Sequence, residues 1–211
     1  MQQQQATTKN GNSQVAANMN HGGHELFDVH EVLSCAIGAL DQFMMYRQYA
    51  QDPELIRILD KQYQFMESQY NITVECFKTG QAPSEKTSTY LIDNVLEPVY
   101  GMQPSQPCKP VQTLSEIKDQ NICDYMQGHI KSHASLLTKS ALETTNPVVR
   151  RVLASQVQNF IEMSYELFMY QNQRGYYQVP QLNQADMQQI LQAYAPASGA
   201  QMPAPNSGAV H

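Results

Sequence analysis

Two histidines and a glutamate are the residues of this chain whose types and spacing could bind a metal ion. His129 and His133 are four residues apart, so on a helix both side chains lie on one face. Glu67 begins the tetrapeptide Glu-Ser-Gln-Tyr, and a matching Glu-Met-Ser-Tyr begins at Glu162. Imidazole nitrogens and carboxylate oxygens together suit zinc or iron. The sequence therefore offers Glu67, His129 and His133 as a candidate three-ligand metal site.

The ligand set is nevertheless incomplete for a di-iron centre. Helical bundles that hold two iron ions use a glutamate from each of two helices and Glu-x-x-His from each of the other two. Tyr70 and Tyr165 stand where those histidines would be needed, and the first helix has only Asp41 near its middle. We therefore predict no metal and no cofactor, with His133 a hydrogen-bonded core histidine and His129 a boundary residue.

No other group of residues indicates catalysis. The sequence shows no nucleophile–base pair, no glycine-rich phosphate loop and no nucleotide motif, which predicts a non-enzymatic protein without a small-molecule substrate. The net charge of -6 argues against nucleic acid as a partner, because phosphate binding needs a basic face. The remaining histidines near the first helix are expected on the surface: His21, His24 and His30. The four cysteines are too far apart for a zinc site and are expected as free thiols: Cys35, Cys76, Cys108 and Cys123.

The chain contains one segment twice, and this repeat defines how the helices are arranged. Asp-Pro at 52–53 and Asn-Pro at 146–147 begin the two copies, 94 residues apart. Their centres, Gln-Phe at 64–65 and Asn-Phe at 159–160, are 95 residues apart, which predicts a slip of one residue. Phe65 and Phe160 are then expected to be buried equivalents. The distance exceeds solenoid periods of about 20–50 residues, so the repeat indicates two related helical hairpins in one bundle.

Apolar residues recurring at steps of three and four predict four long helices, roughly 24–51, 53–79, 113–143 and 147–174, and a short one at 183–194. Pro53 and Pro147 suit the first turn of a helix, and Gly80 suits a helix end. Thr113 opens a Thr-Leu-Ser-Glu pattern typical of a capping box. The predicted buried stripe of the first helix is Leu26, Val29, Leu33, Ile37, Leu40 and Met44.

The segment 80–112 has five prolines and no sustained period, so it is predicted to be a connection. Extended, it reaches roughly 100 Å, enough to run the length of a bundle about 40 Å long and to include a short helix at 90–96. We therefore predict an all-α, ferritin-like four-helix bundle over 22–177, made of hairpins 24–79 and 113–175 joined by this crossover. The polar residues 1–21 and the final stretch 195–211, within a tail that begins at 178, are predicted to be disordered.

The fourth helix and its end carry a family resemblance. Asn146-Pro147-Val-Val-Arg-Arg, about 25 residues of helix and then Gln-Arg174-Gly175-Tyr-Tyr resemble the spore coat protein F family of endospore-forming bacteria. Tyr176 stands where that family commonly has tryptophan, and this chain has none. The resemblance implies a ferritin-like fold and a structural role in the spore coat, with other coat proteins or the chain itself as partners.

Composition agrees with that role. Charged residues make up only 15%, and 28 glutamines and 12 tyrosines give a polar, weakly charged surface that tolerates close assembly. The N-terminus has no apolar core typical of a secretory signal, and no stretch of about 18 apolar residues predicts a membrane span. We therefore expect synthesis in the mother-cell cytoplasm and deposition in the coat. The alternative from another class is a metal-dependent ferritin-like oxidoreductase or metal-binding protein, using Glu67, His129 and His133.

Overall fold

A computed structural model describes residues 20–93 and 96–199. Within them the chain forms α1 (Gly23–Tyr46), α2 (Pro53–Thr79), α3 (Asp119–Glu143), α4 (Pro147–Gln173) and a short α5 (Gln184–Leu191), with a 3-10 turn at Leu114–Glu116. The predicted all-α class is confirmed. None of the helices in this part of the chain combines the length and apolarity needed to span a bilayer.

The four long helices form two hairpins that pack side by side. Antiparallel neighbours are α1 with α2, α3 with α4, α1 with α3, and α2 with α4. Because α1 is antiparallel to both α2 and α3, those two helices point the same way. The chain must therefore return along the whole bundle after α2, and the connection 80–118 does so. The predicted pair of hairpins with a full-length crossover is present.

The helix starts follow from local chemistry. Asp52 Oδ1 accepts a hydrogen bond from the Glu54 N–H at 2.9 Å, and Asn146 Oδ1 accepts from the Val148 N–H at 2.9 Å. Each cap stabilises its helix by about 1 kcal/mol, and the proline that follows each begins the first turn. Gly80 ends α2 with φ 63°, a left-handed conformation that glycine adopts without strain.

The predicted limits of α1, α3 and α5 differ from the structure, and one predicted short helix is missing. α1 ends at Tyr46, and 47–49 form a turn. α3 begins at Asp119, because the capping signal at Thr113 closes only the 3-10 turn before the backbone extends at Ile117 (ψ 124°). The short helix expected at 90–96 is absent from 90–93 and 96, which have no regular secondary structure, with a bend at Asp93. Residues 1–19 and 200–211, where most of the predicted disorder falls, lie outside the described residues.

The repeat keeps one register of 94 residues, so the predicted slip is wrong. The buried positions of α2 and α4 match pair by pair: Leu55/Val149, Ile58/Val152, Leu59/Leu153, Gln62/Gln156, Met66/Phe160, Gln69/Met163, Ile72/Glu166, Thr73/Leu167 and Cys76/Tyr170. The equivalent of Phe160 is thus Met66, which is also buried. Phe65 is only partly buried and packs edge-on against Tyr90 at 5.1 Å. The similar dipeptides Gln64-Phe65 and Asn159-Phe160 are 95 residues apart, one residue more than the register of the repeat, and they are therefore not equivalent positions.

The predicted buried stripe of the first helix is only partly correct: Val29 and Leu40 are buried and Leu33 is partly buried, but the other three predicted residues are exposed. Leu26, Ile37 and Met44 are 44%, 45% and 57% exposed. The buried residues of α1 include two alanines, Ala36 and Ala39, whose small side chains let the neighbouring helix approach closely. Leu26, Ile37 and Met44 thereby remain on the exposed part of the helix, whereas Phe43 and Leu40 are buried.

Candidate functional site

The structure does not bring the three candidate metal ligands together. Glu67 is exposed on α2. His129 is half-buried on α3, where its Nε2 pairs with Gln42 Oε1 at 2.7 Å and the Tyr46 hydroxyl at 3.1 Å, so its predicted boundary position is confirmed. Across residues 20–93 and 96–199, no three His, Cys, Asp or Glu side chains form a group that could hold a metal ion.

His133 is a core histidine, but it is not hydrogen-bonded as predicted. It is 3% exposed, and its ring packs on Phe160 with 4.6 Å between the ring centroids. Its Nδ1 atom has no partner within the described residues. Burial disfavours the charged imidazolium and lowers the pKa of His133 to about 4. The side chain is therefore neutral at pH 7.

At the centre of the bundle, two glutamines make equivalent contacts between α2 and α4. Gln62 Nε2 donates to the Met163 carbonyl at 3.0 Å. Gln156 Nε2 donates to the Gln69 carbonyl at 3.3 Å and to Thr73 Oγ1 at 2.9 Å. Gln156 is 94 residues after Gln62, and Met163 is 94 after Gln69. The same glutamine-to-carbonyl bond is thus made twice across the interface of the two hairpins.

The crossover is fastened to the bundle by a buried network around Glu166. Tyr90, 3% exposed, donates its hydroxyl to Glu166 Oε2, and its N–H donates to Asn159 Oδ1 at 2.8 Å. Lys61 Nζ lies 3.1 Å from Glu166 Oε1 and 4.6 Å from the centre of the Tyr90 ring. Burial, and then the hydrogen bond to Glu166, raises the pKa of Tyr90, which stays protonated as a donor.

A second buried carboxylate, Glu25, joins the start of α1 to the start of α4. It accepts hydrogen bonds from the Thr145 N–H (2.8 Å), the Thr145 hydroxyl (2.7 Å) and the Asn146 N–H (2.9 Å). His21 Nδ1 lies 2.5 Å from its other oxygen, and this ring packs on Phe77 with its side chain 5% exposed. The predicted surface position of His21 is therefore wrong, whereas His24 and His30 are exposed.

The residues that carried the family resemblance build the opposite end of the bundle. Arg174 reaches back from α4 to the cap of α2, with its Nη2 2.6 Å from Asp52 Oδ2 and 2.8 Å from Glu54 Oε2. Its guanidinium lies 3.9 Å from the centre of the Tyr170 ring, and the Tyr170 hydroxyl also donates to Asp52 at 3.0 Å. Asn146, at the other end of α4, caps that helix and donates to the Gly80 carbonyl at 3.3 Å.

The last motif residues turn the chain back towards the crossover. Gly175 has φ 70°, and the Tyr176 N–H then bonds to the Gln171 carbonyl at 2.9 Å. Asn172 Nδ2 donates to the carbonyls of Val99 at 2.9 Å and Tyr177 at 3.0 Å. Asn172, which precedes the last motif residues, therefore joins the end of α4 to the crossover.

The four cysteines are free thiols, as predicted. Cys76 and Cys123 are buried, and burial raises the pKa of Cys123 to about 12, so it is not a ready nucleophile. Sequence reasoning missed Glu25, Glu166 and the paired glutamines, because polar residues were assigned to the outer face. The recurrence of Gln62 and Gln156 at the 94-residue spacing was the signal that could have found them.

Comparison with known proteins places this all-α bundle in a defined class. The Coat F domain matches residues 118–180, which cover α3, α4 and the turn that follows them. The chain is 57% identical over 187 residues to the spore coat protein F-like protein YhcQ of Bacillus subtilis (strain 168), covering 89% of this chain and 86% of that protein.

The chain belongs to the spore coat protein F-like family, which confirms the resemblance predicted from residues 146–177, and with it the class of spore coat protein. No solved structure matches the chain. The relation to ferritins accordingly stays a prediction, although the order and direction of the helices follow the predicted topology.

Proposed function

We propose that this protein is a structural, non-enzymatic component of the bacterial spore coat that assembles with other coat proteins or with copies of itself. The observation that carries the proposal is the 57% identity to a spore coat protein F-like protein over nearly the whole chain. Two of the motif residues support it, because Asn146 and Arg174 join elements of the fold.

The surface also supports assembly. The chain is weakly charged, and several large apolar side chains are strongly exposed, among them Phe27 at 75%, Leu91 at 70% and Leu142 at 81%. Exposed apolar side chains favour contact with other proteins where they gather in patches, and low net charge opposes such contact only weakly.

A fluorescent fusion expressed from the native promoter tests this function. We expect a ring around the developing forespore, with the protein retained in purified spores after salt and detergent washes. The fluorescent protein alone, from the same promoter, is the control and should stay diffuse in the mother cell. Diffuse signal from the fusion, with none in purified spores, would contradict the proposal.

Metal analysis of the purified protein distinguishes the structural role from the alternative, a metal-dependent oxidoreductase or metal-binding protein. We expect far less than one zinc or iron per chain after expression with either metal added. Stoichiometric metal that is lost in Glu67→Gln, His129→Gln or His133→Gln would favour the alternative instead.

A further inference from the structure

We propose that the centre of the bundle is a binding site for one small, neutral hydrogen-bonding molecule, a single water, held by the side chains of Gln69 and His133. Both residues line one cavity between α1, α2, α3 and α4. Gln69 is 1% exposed and His133 is 3% exposed. A ligand there would be enclosed by protein.

Two of the polar side chains that line this cavity have buried atoms without protein partners in the part of the chain that the structure describes. Neither Oε1 nor Nε2 of Gln69 makes a hydrogen bond to any described residue, and neither does Nδ1 of His133. Buried amide and imidazole groups are strongly disfavoured when left unpaired, because they lose their hydration without compensation. Together they offer three bonding positions, and a buried water typically makes about three hydrogen bonds.

The size of the cavity limits the occupant. Its volume is about 10 Å³, which matches one water molecule and excludes larger organic ligands. From α1, the two small side chains of Ala36 and Ala39 line the cavity beside Val32 and Leu33.

The chemistry of the lining favours a neutral molecule over a cation. No aspartate or glutamate lines the cavity, and His133 is neutral at pH 7 because burial lowers its pKa. A divalent ion would enter without a compensating charge, which is costly in a buried site.

The repeat supplies an internal comparison. The equivalents of Gln69 and His133, 94 residues away in the repeat, are Met163 and Ala39. The related positions thus carry apolar residues in this fold. The polar pair, with Gln69 in the first hairpin and His133 in the second, has no polar counterpart there. Gln69→Met reproduces the residue that already occupies the related position.

The experiment combines this substitution with nuclear magnetic resonance. If the site is hydrated, Gln69→Met lowers the melting temperature by about 3–6 °C, because it removes two bonds to the bound water. The matched control is Gln64→Met, at an exposed position on the same helix. This substitution should change the melting temperature by no more than about 1 °C. In the unaltered protein, the side-chain amide protons of Gln69 should show contacts to a long-lived water.

Three results would overturn the proposal. A higher melting temperature in Gln69→Met would mean that the amide was unpaired in a dry core. The absence of magnetic resonance contacts between the Gln69 amide protons and a long-lived water would also overturn it, whatever the melting temperature of the variant. That measurement is made on the unaltered protein. Stoichiometric zinc binding that shifts the His133 resonances would assign the site to a cation.

Discussion

Glu25 is fully buried, yet its carboxylate meets three donors from residues 145–146 and the ring of His21. Burial by itself would raise the pKa of Glu25, but the hydrogen bonds from Asn146, His21 and Thr145 outweigh it and hold this pKa below its ordinary value of 4.5. One side chain thus secures the junction between the two hairpins.

Glu25→Gln should destabilise the protein by about 1–3 kcal/mol at pH 7, because a neutral amide replaces a carboxylate that accepts several bonds. A depressed pKa stabilises the folded state above the unfolded value of 4.5, and this contribution disappears as pH falls through the folded pKa. Denaturant unfolding from pH 7 to 3 measures the difference between variant and parent, which should shrink below pH 4.5. Glu31→Gln, exposed on the same helix, should show no such difference at any pH.

His133 predicts a second, separate pH dependence. The pKa of His133 is about 4 in the folded protein and 6.5 in the unfolded chain. Between pH 4 and pH 6.5 the imidazole is therefore protonated in the unfolded state and neutral in the folded state. Stability should therefore fall by about 1.4 kcal/mol per pH unit as pH drops from 6.5 towards 4. His133→Gln, which cannot titrate, should remove this slope, measured by denaturant unfolding; an unchanged slope would assign it to another group.

At the scale of elements, the crossover is more firmly attached than its proline-rich sequence indicates. Tyr90 places a buried ring beside α2 and α4, and Asn159 bonds both the Tyr90 N–H and the Ser88 carbonyl. Residues 102–110, by contrast, are all exposed. The connection is thus held to the bundle around residues 88–90, whereas 102–110 are open to solvent.

Tyr90→Phe should cost about 1–3 kcal/mol, because Glu166 loses a donor while staying buried beside Lys61. The loss should appear locally, as faster amide hydrogen exchange at the Tyr90 N–H and its neighbours. Tyr100→Phe, on an exposed tyrosine of the same crossover, is the control. Equal effects from the two substitutions would contradict the role given to the Glu166 network.

At the scale of the whole molecule, the two hairpins depend on each other. The contacts of α1 with α3 and of α2 with α4 bury apolar side chains from both, and the glutamine bonds cross the same interface. Neither hairpin keeps its buried face covered without the other. We therefore expect the shared core to contribute more than the covalent crossover to holding the two hairpins together.

A protease site inserted at 104–107 tests that dependence. After cleavage, the two fragments should co-elute as one species in gel filtration, since the shared core is intact. Loop closure changes stability only slowly with length, so a moderate loss in melting temperature at low protein concentration is the expected effect. Fragments that separate at micromolar concentration would show that the crossover, rather than the core, holds the hairpins together.

Local patterns were enough to predict the helices, their order and the family. Asp52 and Asn146 followed by proline begin helices in any context, because the cap bond and the fixed φ act within one turn. Met126, Ile130 and Leu137, four and seven residues apart on α3, are likewise buried, as an apolar helical period requires. Helix starts and apolar faces depend on residues that are close in the sequence, so capping signals and hydrophobic periodicity predict them directly.

Packing alone decided which polar side chains turn inward. Glu25, Gln62 and Glu166 are buried because distant residues supply their partners, at sequence separations of about 100 or more. The inward face of α1 was decided in the same way, since Ala36 and Ala39 fit where Ile37 and Met44 do not. A buried polar side chain needs hydrogen-bond partners, and here distant parts of the chain provide them. The apolar period of a single helix therefore cannot predict which polar residues are buried.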